Sequence, residues 1–228
     1  MTVVLSPHLD DAAFSCGGYL AGLGRPAHVV TTFTKSVANP RGFALRCQTD
    51  KGIGERVDYM ALRRREDEAA MRALNCTFEH WDLPEAPHRG YESAKALFAG
   101  PLNEDRQIVD QLIAKIHHLF EQRRPTTVLY PYGAGDHVDH LQLIDAVQSL
   151  APGFPEVDFV QYFDQPYTSK FVDLAGAQAG RRRDIRLTDR QRTAKEKACG
   201  AYASQLGFQF GGAERMMDVL GHTEYLLP

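Results

Sequence analysis

No stretch of this 228-residue sequence approaches the roughly 20 consecutive apolar residues that a bilayer-spanning helix needs. Its start, MTVVLSPHLDD, has no positively charged opening followed by a long apolar core, so no secretory leader is read there. A soluble, cytoplasmic protein with no membrane partner is expected. An excess of one charge is missing too: 26 basic residues stand against 29 acidic ones, so no global field draws the chain toward nucleic acid. The expected partner is a small-molecule substrate. Cysteine is sparse, and Cys16, Cys47, Cys76 and Cys199 are scattered without a CxxC pair, which argues against a thiolate metal motif or a disulfide framework. No internal repeat is visible.

What is present is alternation. With 43% hydrophobic and 24% charged residues, the chain can bury the core of one domain, taken as residues 1–228. Short β-branched runs at 2–6, 28–34, 77–83, 126–132 and 158–163 read as strands. Amphipathic stretches at 11–23, 58–74, 104–122, 138–150, 189–204 and 213–220 read as helices, with Ile108, Leu112, Ile116 and Leu119 making one apolar stripe. This pattern predicts a three-layer α/β fold with a mostly parallel central sheet. Two connections, 35–56 and 84–102, are long for such a fold and are candidate walls of a site. A small α/β domain with uncovered loops also fits a symmetric homo-oligomer.

Two polar clusters follow two of the strands. SPHLDDA leaves the first, and GDHVDH follows TTVLYPY. In open parallel sheets, ligands bind beyond the carboxyl ends of the strands, so both clusters stand where sites are built. His8 and Asp11 are three residues apart, as are His137 and His140, and each pair can face one way in a first helical turn. His8, Asp11 and His140 would make a three-ligand catalytic zinc site, with Fe2+, Co2+ or Ni2+ as alternatives. Asp10 is then left as a general base for a water activated by the metal, and a protonated His137 as a hydrogen-bond donor to the oxyanion. Asp139 is a candidate carboxylate orienting an imidazole. The plainer reading makes Asp10 and Asp11 helix caps and the two later histidines part of a polar turn.

The same residues resemble the PIG-L/LmbE-like family of zinc-dependent N-deacetylases. PHLDD stands where that family writes (A/P)HPDDE, and HVDH where it writes HxDH. RRREDEAAMRALN, WDLPEAPHRGY and YASQLGFQFGG extend the likeness over most of the chain, toward a branch whose first motif is SPHLDDA. The resemblance implies a Rossmann-like fold, zinc, and removal of an acetyl group from an N-acetylated amino sugar or sugar-bearing metabolite. It places metal ligands at His8, Asp11 and His140, the base at Asp10 and the oxyanion donor at His137. Leu9 and Ala12 depart from the family's proline and glutamate.

Candidate substrate contacts are Arg63, chosen because it makes an RxxE with Glu66, Glu85 after WDLP, and Tyr167 after the fifth strand. Arg64 is expected to pair with Glu68 on a solvated helix face, and the arginine-rich 180–184 to be a solvated loop. Hydrolysis of a non-sugar amide or a phosphoester, and a non-catalytic metal-binding module, remain alternatives.

Overall fold

Strand β1 (Thr2–Ser6) forms from TVVLS, with Val3, Val4 and Leu5 all fully buried in the computed structural model, which describes every residue except Ala175, Ala177 and Ala179. Apolar side chains on both faces are what a sheet covered by helices on both sides requires. β2 (His28–Thr31), β3 (Thr77–His80), β4 (Thr127–Pro131) and β5 (Asp158–Tyr162) run parallel to β1. β6 (Arg183–Arg186) and β7 (Thr223–Leu227) complete a seven-stranded sheet of order β3-β2-β1-β4-β5-β7-β6, with β7 antiparallel to both β5 and β6. β2 and β3 end three residues before their expected limits, and beyond them the chain keeps only an isolated antiparallel bridge, Phe33 to Asp82.

The helices are α1 (Asp11–Ala21), α2 (Gly42–Thr49), α3 (Tyr59–Ala73), α4 (Ala94–Leu97), α5 (Gln107–Arg123), α6 (Val138–Leu150), α7 (Tyr167–Phe171), α8 (Asp189–Cys199), α9 (Ala203–Phe210) and α10 (Ala213–Leu220). Strand residues alternate between two cores. Val4, Val29 and Leu129 meet α1, α3 and α8 on one face, whereas Val3, Leu5, Val30 and Val128 meet α5 and α6 on the other.

Several expectations are corrected. The helix expected over 189–204 breaks at Tyr202, whose hydroxyl donates to buried Asp67 at 2.6 Å, while Glu66 accepts from Ser204 N at 2.8 Å and restarts the chain as α9. The loop 35–56 contains α2, and 84–102 contains a 3-10 turn, Ala86–His88, and α4. The arginine-rich 180–184 is not wholly a loop but runs into β6. That strand's partner, β7, sends Glu224 inward, where it takes Lys195 Nζ at 2.7 Å and the Gly18 and Tyr19 N–H groups at 2.9 and 2.6 Å. A Cβ on Gly18 would stand 2.5 Å from Leu187 Cδ1, so the leucine side chain would have to shift to admit one.

From β1 the chain winds outward through β2 and β3, then returns to place β4 on the other side of β1. The order therefore reverses between β1 and β4, and both polar clusters leave the sheet beside that crevice.

Candidate metal centre and active site

The turn after β1 is wound tightly by its own side chains. Ser6 Oγ donates to His8 O at 2.8 Å and accepts from Ala12 N at 3.2 Å, while His8 N donates to Asp11 Oδ2 at 2.8 Å. Asp10 occupies the N-cap position of α1, yet its side chain makes no cap hydrogen bond. The capping explanation of Asp10 therefore fails, and its carboxylate faces a cavity of about 380 Å³.

His8 Nδ1 and His140 Nε2 each stand 3.3 Å from Asp11 Oδ2 and 3.4 Å from one another. A tetrahedron with zinc–ligand distances of about 2.0–2.1 Å has edges of about 3.3–3.4 Å. This near-equilateral triangle of two imidazole nitrogens and one carboxylate oxygen fits such an ion. The nitrogens of His8, His137 and His140 also fall within 4.8 Å of one another, a looser alternative set. His137 is the weaker ligand of that set because its Nδ1 accepts from Asp139 N at 3.2 Å as the N-cap of α6. The ring proton is thereby placed on Nε2.

Each imidazole of the triangle is held from behind by a buried carboxylate. Asp139 Oδ2 takes His8 Nε2 at 2.8 Å, and Asp164 Oδ1 takes His140 Nδ1 at 2.7 Å, so the opposite nitrogen of each ring is directed into the triangle. Asp164 Oδ2 is fixed in turn by Gly133 N at 2.7 Å and Ala134 N at 3.0 Å. Arg89 Nη2 lies 2.8 Å from Asp139 Oδ1, and the same guanidinium grips Asp105, Gln142 and Pro84 O. The long segment 84–102 is thus tied to the base of the site.

The buried carboxylates and imidazoles set one another's charge. Burial opposes the charge of Asp11 and Asp139, but His140 with His8 and Arg89 with His8, respectively, hold both carboxyls well below the usual range. Burial likewise opposes protonation of His8 and His140, yet the surrounding carboxylates raise both, His140 to about 9. Asp10 behaves differently, since burial, against the pull of Arg63, lifts its carboxyl to about 6. Burial, assisted by His8 and His140, pushes His137 down to about 3. The expected protonated His137 is therefore corrected to a neutral imidazole whose Nε2–H has no partner among the described residues.

This constellation coincides with a family pattern: the family model described as PIG-L, GlcNAc-PI de-N-acetylase, matches residues 3–151. The chain belongs to the PIG-L family. Over 74% of this PIG-L chain it is 37% identical to 2'-N-acetylparomamine deacetylase of Streptomyces fradiae, and it spans 58% of that curated relative's length. Its fold superposes over its whole length on 97% of the zinc-inhibited form of a teicoplanin deacetylase, with TM-score 0.85 and 24% identity. The A40926 pseudoaglycone deacetylase gives TM-score 0.83 and 26% identity over the whole chain and 96% of its own.

Within this PIG-L chain, both departures from the first motif are buried. Leu9 packs with Tyr59 and Met60, and Ala12 lies in the core beneath α1. Arg63 does not pair with Glu66 as the RxxE spacing suggested; it reaches Glu85 Oε1 and, at 3.5 Å, Asp10 Oδ2. Nor does Arg64 meet Glu68. It donates to Thr34 O and Ser36 Oγ, and Glu68 takes Arg72. Arg63, Glu85 and Tyr167 all line the cavity. Asp164 and Arg89 escaped sequence reasoning as site residues. For Asp164 the available signal was an acidic residue at a third strand exit, immediately after VQYF.

Proposed function

We propose that this chain is a metal-dependent amide hydrolase that removes an acetyl group from an N-acetylated amino sugar or sugar-bearing metabolite. One observation carries the reading: of a triangle of donor atoms at metal spacing, His8 and Asp11 line the same cavity as Asp10, which makes no cap hydrogen bond, and His137, whose Nε2–H has no partner among the described residues. A divalent ion held by His8, Asp11 and His140, zinc by the preference of this ligand set, would supply Lewis acidity to the acyl carbonyl and lower the pKa of an adjacent water. Asp10 accepts the proton of the attacking water and returns it to the departing nitrogen, a task suited to a carboxyl lifted to about 6. His137 donates from Nε2 as charge gathers on the carbonyl oxygen. Water thus gives hydroxyl to the acyl carbon and a proton to the nitrogen, yielding a carboxylic acid and an amine, which ionise to carboxylate and ammonium.

Glu85 keeps one carboxylate oxygen without a protein partner among the described residues and accepts from a sugar hydroxyl. Arg63 holds it in place, and Tyr167 borders the opposite wall. Gln205 and Phe208 of α9 line the same cavity as the β1 turn, which supports one catalytic unit over 1–228. The four unpaired cysteines fit a reducing, cytoplasmic setting. Among the described residues no helix is long and apolar enough to cross a membrane. The activities in the names of the relatives above support the reaction class.

Amine release from a panel of N-acetylated sugars, with elemental analysis of the purified protein, tests the proposal. Asp10→Asn should abolish turnover with metal content retained, His137→Ala should slow turnover with metal retained, and His140→Ala should lose metal. Phosphoester turnover without amine release refutes the amide reading, and metal loss in Asp10→Asn refutes the division of roles.

A further inference from the structure

The cavity has two unlike ends. On the Asp10 side stand ions: Arg63 pairs with Asp10 and Glu85, and both Arg63 and Lys51 lie 5.5 Å from the centre of the Tyr59 ring. Beyond His137 the wall is apolar and aromatic. Phe98 packs edge-on against His137 at 5.3 Å and meets Tyr167 at 5.9 Å, and Tyr167 is edge-on to His140 at 5.7 Å. Leu97 and Pro166 complete this wall. It is firmly backed, since Gly135, at φ +82°, lets the β4 turn approach until a Cβ there would stand 3.2 Å from the Tyr167 ring.

Amide hydrolysis assigns these two ends. The nitrogen must lie beside Asp10 to receive its proton, which sends the amine portion and its hydroxyls toward Glu85, Arg63 and Lys51. The carbonyl oxygen is directed to the donor triangle and His137. The acyl chain, the remaining substituent, then points away from Asp10 along the wall beyond His137. Phe98 on that wall is 40% exposed, more surface than a single methyl group can cover. Several methylenes would cover it, and each apolar group so buried adds affinity.

We infer that Leu97, Phe98, Pro166 and Tyr167 form an acyl subsite, which admits N-acyl groups longer than acetyl as well as acetyl itself. The inference rests on the amide-hydrolase reading above and extends it to the acyl side of the substrate. Straight-chain hydroxamates test it, because the hydroxamate head chelates the metal while its alkyl chain takes the acyl position, whatever the amine. Binding of acetohydroxamate, butanohydroxamate, hexanohydroxamate and octanohydroxamate to the zinc-loaded protein is measured by calorimetry.

Affinity should rise about two- to fourfold for each methylene laid against the wall. Phe98→Ala should flatten the series while leaving acetohydroxamate unchanged. Phe208→Ala, beside Lys51 at the ionic end, should leave the rise intact. Affinity that is flat or falls with chain length in the unsubstituted protein overturns the acyl subsite alone. A rise undiminished in Phe98→Ala overturns its location, and failure of acetohydroxamate to bind removes the metal reading together with this one.

Discussion

Replacing Asp164 by asparagine changes one atom, and the structure dictates why that atom matters. The carboxylate serves three donors: His140 Nδ1 at 2.7 Å, Gly133 N at 2.7 Å and Ala134 N at 3.0 Å. Both Asp164 and His140 are fully buried, so water cannot replace a lost partner. Asparagine has a single acceptor oxygen. If that oxygen keeps the backbone N–H groups, the amide NH2 faces His140 Nδ1, and the ring proton must move to Nε2, the atom assigned to the metal. If the amide turns over, two buried N–H groups lose their acceptor at a cost of about 1–3 kcal/mol each. The first arrangement is therefore favoured, and zinc affinity should fall by about 10- to 100-fold, near the upper end because the ligand atom itself is blocked. Competition against a chromophoric chelator measures that loss, and thermal unfolding of the metal-free protein checks that the fold survives. Zinc affinity equal to that of the unsubstituted protein would refute both the role of Asp164 and the assignment of His140 Nε2 as a ligand.

Arg89→Met should weaken zinc binding by about tenfold, since Asp139 would lose the cation facing it and hold His8 less firmly; the same competition titration reads this out. Lys195→Met strands Glu224 at a site where both side chains are essentially buried, and should cost about 3 kcal/mol in chemical denaturation, the lower end of the range because two backbone N–H groups still serve the carboxylate. In the folded protein a maleimide should modify Cys47 before Cys16, Cys76 and Cys199, because Cys47 alone of the four is not buried and borders the cavity; peptide mapping after brief labelling decides it.

The parts of the fold that were legible in the sequence are those governed by apolar periodicity. β1, α6 and α10 begin and end where their patterns place them. β6 and β7 were invisible for separate physical reasons. β6 carries Arg-Asp-Ile-Arg at the sheet edge, where backbone hydrogen bonds suffice and no apolar face is demanded. β7 hides its inward alternation because one inward residue is Glu224, neutralised by a lysine 29 positions away in the chain. Similar long-range pairing explains the site. The SPHLDDA and HVDH residues stand out by type and spacing, but Asp164 and Arg89 meet them only once the strands are side by side. Arg63, expected to contact substrate on the strength of an RxxE with Glu66, lines the cavity but takes its partner from Glu85, 22 residues away.

The donor triangle joins residues 132 positions apart, His8 at the first strand and His140 after the fourth, and its rear support, Asp164, follows the fifth. A nascent chain therefore carries half of the site long before the other half, and cannot assemble the whole until most of the sheet has docked. An ion bound across this span favours only the docked form, acting as a clasp between early and late segments of the chain. At a free ion concentration about 100 times Kd, it would add about 2.7 kcal/mol to the stability of the whole sheet. Metal supply would then govern how long the folded protein lasts as well as how fast it works.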